Sequence, residues 1–198
     1  IADLGIDQVK IFRFDKADGK MRQIDTLRCE LQSGPRHFRF CPDRKYLYLL
    51  YELKNVIDVY AFHEEEGGDE VTLEKIQTIP TYKEKDQDPL IAACQMRFSP
   101  DKDASHLFVS NAGINTISIY DRDIKTGLLT MKGSLPIGGE YPKDFCIFPD
   151  EKHIAVANNE SGTITFLNID YEHGLLSMCA RELEIDEPNS ICMVKLQG

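Results

Sequence analysis

Arg36, His37 and Glu52 place a guanidinium, an imidazole and a carboxylate within one short stretch. Such a set can accept a proton from water, hold a developing oxyanion and orient the reacting group. In that chemistry Glu52 is the general base, Arg36 stabilises the oxyanion or binds a substrate carboxylate or phosphate, and His37 orients or donates. An Arg36–Glu52 ion pair that only pins the structure would use the same residues. Removing a catalytic base spares folding, whereas breaking a buried pair costs about 3–5 kcal/mol. Lys143 and Asp144 follow Pro142 as Arg36 and His37 follow Pro35, so they are candidates for binding an anionic substrate or for pairing with each other. Asp3, Asn111 and Asn158 are read as recurring at the Glu52 position, either as further substrate contacts or as turn caps.

Other chemistries find little support. His106 and His153 open apolar runs and read as packing residues, while His63 and His173 lie in polar stretches beside acidic residues without the spacing of a metal site. Neither a metal nor a cofactor is expected. The Gly-Gly pairs precede no helical pattern, and no Gly-x-Ser-x-Gly or Cys-His nucleophile signature is present. The six cysteines are spread singly with no Cys-x-x-Cys, which argues against zinc and against a disulfide framework. Cys41, Cys146 and Cys192 sit in apolar runs, as buried thiols of a reducing compartment would. The net charge of -10 disfavours nucleic acid and anionic membrane as partners. No window has the ~18 apolar residues of a membrane span. The opening IADLGIDQVK lacks the regions of a signal peptide and resembles the middle of a repeat; the chain is expected to be cytoplasmic.

The elements that must position these residues are repeats. GPRHFRFCPDRKYLYLLYELKNVIDVYAF (34 to 62) recurs as ACQMRFSPDKDASHLFVSNAGINTISIYDR (93 to 122) and YPKDFCIFPDEKHIAVANNESGTITFLNID (141 to 170). Each unit has an apolar run, a Pro-Asp turn, a second apolar run, a polar turn and an alternating third run; Pro42, Pro100 and Pro149 end strands because proline cannot donate to a ladder. A fourth, more exposed strand follows at EKIQTI, LTMKGSLPI and LLSMCARELEI. Successive Pro-Asp turns are 58 and 49 residues apart, and four short strands in that length without helical periodicity predict a β-propeller blade. HEEEGGDE (63 to 70) and YKEKDQDP (82 to 89) account for the longer interval as surface loops.

The expected fold is all-β: a partial blade over 1–33, blades over 34–90, 91–140 and 141–187, and an inner closing strand over 188–198. Propellers close by sharing a blade between chain ends, which removes exposed edges. The expected partner is therefore the missing N-terminal half of a ring, or another copy of the chain if these residues exist alone.

Together, ADLGIDQV, GPRHFRFCPD, YELKNVIDVY, VSNAGINTISIY and YPKDFCIFPD resemble, in order and spacing, the seven-bladed lactonase family, which includes propeller-type 6-phosphogluconolactonases and the fungal carboxy-muconate lactonizing enzyme. The resemblance covers the whole chain as the C-terminal portion of the fold. It implies that Arg36 and Glu52 match residues proposed for the active site, that His37 is the histidine of the GPRH motif, and that a further proposed histidine lies upstream. This sequence departs from the family where members often carry arginine, at Ala112 and Lys143. The implied activity is hydrolysis of 6-phosphogluconolactone or a related anionic sugar lactone in an oxidative pentose route. A muconate-type cycloisomerase and a non-catalytic propeller scaffold are the alternatives.

Overall fold

The computed structural model describes residues 1–65, 70–83 and 90–194. Residues 66–69 and 84–89, within the two expected surface loops, lie outside the described residues, as do 195–198 of the expected closing strand. The described chain folds into four antiparallel meanders. The first is β1 (Ala2–Asp3), β2 (Gln8–Phe14) and β3 (Met21–Arg28), with a 3-10 turn at Leu4–Ile6. The second is β4 (Pro35–Phe40), β5 (Tyr46–Tyr51), β6 (Val56–Glu64) and β7 (Val71–Pro80). The third is β8 (Ala92–Phe98), β9 (His106–Ala112), β10 (Thr116–Arg122) and β11 (Leu129–Pro136). The fourth is β12 (Pro142–Ile147), β13 (His153–Asn158), β14 (Thr163–Asp170), β15 (Leu175–Met178) and β16 (Leu183–Glu184). This is part of a β-propeller.

The middle of the second strand of each full blade is apolar because both of its faces are buried, and alternate side chains serve different neighbours. In β5, Leu47, Leu49 and Tyr51 pack with Val9 of the first sheet, while Tyr48 and Leu50 pack with Met96 and Val109 of the third. In β9, Leu107 and Val109 face the second sheet, and Phe108 joins Phe145 and Val156 of the fourth. Each such apolar side chain contributes roughly 1.5–3 kcal/mol by leaving water. The Pro-Asp turns are capped as their composition predicts: the Asp43, Asp101 and Asp150 carboxylates accept the N–H groups of Lys45, Asp103 and Lys152.

One expectation is corrected. The last fourth strand, LLSMCARELEI, is interrupted at 179–182, and both pieces, β15 and β16, pair with β14. Residues 188–194, within the expected closing strand, form no ladder with the described strands. A strand exists only through a ladder, and none of the described strands is paired with this segment. Its polar groups turn to β12 instead: Ser190 Oγ and the Ile191 N–H both donate to Asp144 Oδ2, at 3.1 and 3.0 Å.

Candidate active site

The inner strands β4, β8 and β12 each begin with a β-bulge, and the bulges place the site. Pro35 pairs with Tyr51 and His37 with Leu50, leaving Arg36 as the extra residue. Cys94 and Lys143 are left over in the same way in β8 and β12. A bulged residue is re-aimed away from the regular alternation. Arg36 reaches the neighbouring blade, where its Nε donates to the Cys94 carbonyl at 2.7 Å, and its Nη1 donates to Glu52 Oε2 at 2.6 Å. Glu52 directly follows β5 and is held by its own backbone, its N–H donating to the Gly34 carbonyl at 2.8 Å and its carbonyl accepting the Ala93 N–H at 3.4 Å. The Arg36 and Glu52 side chains keep 27% and 17% of their surface exposed, so solvent reaches the pair. Arg36 Nη2 and Glu52 Oε1 form no hydrogen bond among the described residues.

The register moves three other candidates. Asn111 and Asn158 pair with the residues before the bulges, Ala93 and Pro142, as Tyr51 pairs with Pro35. Asp3 pairs with Gln8 as Tyr51 pairs with Val56. These three residues correspond to Tyr51, and the counterparts of Glu52 are Leu4, Ala112 and Asn159. One residue changes the direction of a strand side chain completely. Asn111 and Asn158 accordingly point into their own blades and are fully buried. The Asn111 amide donates to Thr81 O, Thr116 Oγ1 and Ser118 Oγ, and that of Asn158 to Thr163 Oγ1 and Thr165 Oγ1. Asp3 Oδ1 accepts the Gly5 N–H and caps the 3-10 turn.

His37, Gln95 and Asp144 follow the three bulges, and with Arg39 and Arg97 they form a polar belt across the inner strands. Arg39 Nη2 donates to Gln95 Oε1 at 3.4 Å, and Asp144 Oδ1 accepts from Gln95 Nε2 and Arg97 Nη2, each at 2.9 Å. Burial raises the Asp144 carboxyl, but the Ile191 N–H, Arg97 and Gln95 outweigh it and hold the group below its ordinary range. Asp144 thus joins inner strands rather than pairing with Lys143. Burial, reinforced by Arg36 and Arg39, pushes His37 down to about 4, so its imidazole is neutral at pH 7. His37 is not hydrogen-bonded to Arg36 or Glu52 among the described residues.

Lys143 has no carboxylate partner among the described residues, and its Nζ stands 5.8 Å from the centroid of the Tyr141 ring. Tyr141 occupies the repeat position of Gly34 and shares its left-handed backbone, with φ of 58° against 64°. Burial and the neighbouring Cys94 and Glu52 raise its hydroxyl above the ordinary value. Burial likewise raises the Cys94 thiol, which leaves it protonated and unreactive at pH 7. Cys94 and Tyr141 were not among the sequence candidates. The signal for Tyr141 was a bulky residue before Pro142 where a sister repeat has glycine before Pro35.

The family model described as Lactonase, 7-bladed beta-propeller matches residues 1–194. The chain belongs to this family. Among its lactonase-family relatives, a protein of Formosa agariphila named 6-phosphogluconolactonase is 30% identical over 198 residues, covering 98% of this chain and 53% of its own length. A Bacillus subtilis protein of the same name is 25% identical over 187 residues, covering 94% of this chain and 51% of its own length. A crystal structure of a Lactobacillus plantarum protein superposes with a TM-score of 0.81 at 27% identity, covering 93% of this chain and 51% of that one. The chain spans about half the length of the relatives it matches. Among the described residues there is no group of acidic, histidine and cysteine side chains arranged to hold a metal, and no helix long and apolar enough to cross a membrane.

Proposed function

We propose that this chain supplies the Arg36–Glu52 mouth of a lactonase that opens 6-phosphogluconolactone or a related sugar lactone with water. The observation that carries the reading is the pair itself: a carboxylate and a guanidinium joined at 2.6 Å and open to solvent, each with one polar atom that makes no hydrogen bond among the described residues. Glu52 Oε1 takes a proton from water as the oxygen attacks the lactone carbonyl. The oxyanion forms against Arg36 Nη2, where a fixed donor is worth most. Collapse breaks the ring C–O bond, and the proton on Glu52 passes to the departing ring oxygen. His37 is neutral and acts by donating a hydrogen bond that orients the substrate. Lys143 receives the anionic substituent and supplies local positive charge that the chain's net charge of -10 does not. Asp144, Asn111, Asn158 and Asp3 support the mouth: the Asp144 and Asp3 carboxylates and the Asn111 and Asn158 amide nitrogens bond within and between the blades.

The names of the Formosa and Bacillus relatives favour a phosphorylated sugar lactone. Six unpaired thiols fit a reducing cytoplasm, where such a lactone is made by oxidation of a sugar phosphate. The test is hydrolysis of freshly generated 6-phosphogluconolactone, corrected for spontaneous opening, by the full-length protein and its Glu52→Gln variant. A base contributes about 10²–10⁴-fold. A loss of that size with an unchanged melting temperature supports the reading. A parent no faster than background removes it, and a variant that loses stability with activity returns the pair to a structural role.

A further inference from the structure

The segment leading into β12 is held at Ile137, Glu140 and Tyr141. The Ile137 N–H donates to the Asn115 carbonyl, the Glu140 N–H to Ser161 Oγ at 3.0 Å, the Tyr141 N–H to Asn115 Oδ1 at 2.9 Å, and the Tyr141 carbonyl accepts the Asn159 N–H at 2.9 Å. Gly139 lies so close to Asn158 that an added Cβ would overlap its carboxamide. This rigid backbone presents a side chain that joins none of the three apolar clusters. Tyr141 is only partly buried, and its ring stands beside Lys143, the one bulge-ring cation without a carboxylate partner among the described residues.

The backbone would suit glycine better. A left-handed conformation costs an L-residue roughly 1–2 kcal/mol, and Gly34 meets the same requirement in the second blade without that cost. Strain kept in a partly exposed residue that does not pack the core points to a use for the side chain. An aromatic face offers a flat apolar wall with a polar tip, the combination that fits the C–H face and hydroxyls of a sugar ring.

We propose that Tyr141 is a specificity-determining residue of the mouth, its ring stacking on the C–H face of a sugar lactone while Lys143 takes the anionic substituent. This rests on the lactonase reading. Cys94, Glu52 and Arg36 all lie near enough to act on the Tyr141 hydroxyl, so the ring and the Arg36–Glu52 pair share one neighbourhood. A substrate without a sugar-like face would gain nothing from the ring.

Tyr141→Gly, made in the full-length protein, separates this role from a structural one, because it removes the ring while relieving the backbone. The expected result is a KM for 6-phosphogluconolactone raised about tenfold, a smaller change in kcat, and a melting temperature equal to or above the parent's; tenfold is the ordinary scale for one lost ring contact. Tyr141→Phe should keep most of the affinity. An active parent whose KM is unchanged by Tyr141→Gly overturns the inference while leaving the lactonase reading intact. A lowered melting temperature in which Tyr141→Phe shares overturns it in favour of a structural tyrosine. A parent without lactonase activity removes both.

Discussion

His37 faces Arg36, Arg39 and Arg97 with Asp144 as the nearby carboxylate, and together with burial these cations keep it neutral down to about pH 4. An ordinary imidazole titrates near 6.5. Between those values the unfolded chain binds more protons than the folded one, so stability rises with pH across that window. The contribution is complete above about pH 6.5 and is lost as pH falls towards 4. Asp144 acts lower: its depressed carboxyl adds stability above the ordinary carboxylate pKa that is lost on further acidification. His37→Gln, which copies Gln95 in the next blade, should flatten the urea midpoint between pH 6.5 and 4 while leaving the loss below 4. Parallel curves for parent and variant would show that His37 titrates as an exposed histidine. The residue types of this site were legible, since Arg36, His37 and Glu52 stand out as chemistry. The charges that silence His37 were not, because Arg97 and Asp144 come from other inner strands, far away in sequence.

The turns between second and third strands show what could be read at the level of elements. YELKN, NAGIN and NNESG are five-residue segments, and Asn55, Asn115 and Gly162 at their ends all have left-handed backbones, as does Asp7 in the first sheet. Counting back from that residue gives the observed register, in which Ala112 and Asn159 stand at the Glu52 position. Matching polar residue to polar residue instead slips the alignment by one and sets Asn111 and Asn158 there. The turn chemistry was visible, but its second use was not. Asp7 accepts the Gln32 and Gly34 N–H groups, Asn55 donates to the Ile91 carbonyl at 2.9 Å, and Asn115 accepts the Tyr141 N–H, so these side chains tie the turn to the strand that opens the next blade. Asn55→Ala should lose both the tie and the tolerance of φ 54°, costing about 2–3 kcal/mol by chemical denaturation. Asn55→Gly keeps the backbone and should recover about half of that. Equal losses in the two variants would assign the whole effect to the hydrogen bond.

Repetition made the propeller legible in the whole molecule, because a fixed order of strands and turns leaves few architectures. How blades meet was less legible, since an all-apolar strand does not say which of its residues face which neighbour. The second and third blades are joined by more than apolar contact. Tyr46 and Tyr48 of β5 donate to the Lys125 and Gly127 carbonyls, each at 2.7 Å, and Tyr120 of β10 returns a bond of 2.7 Å to the Pro80 carbonyl. Gly127 makes this approach possible: its φ is 73°, and an added Cβ would overlap the Tyr46 ring. Gly127→Ala therefore meets an unfavourable backbone and an aromatic ring held by its own hydrogen bond, two costs that should sum to more than about 2 kcal/mol. The Arg36–Cys94 hydrogen bond crosses the same blade boundary at the mouth. If the boundary is one mechanical unit, the variant should lower the melting temperature and also raise the amide exchange of Ala93, whose N–H bonds the Glu52 carbonyl. A lowered melting temperature with unchanged exchange at Ala93 would mean that the outer turn and the mouth open independently.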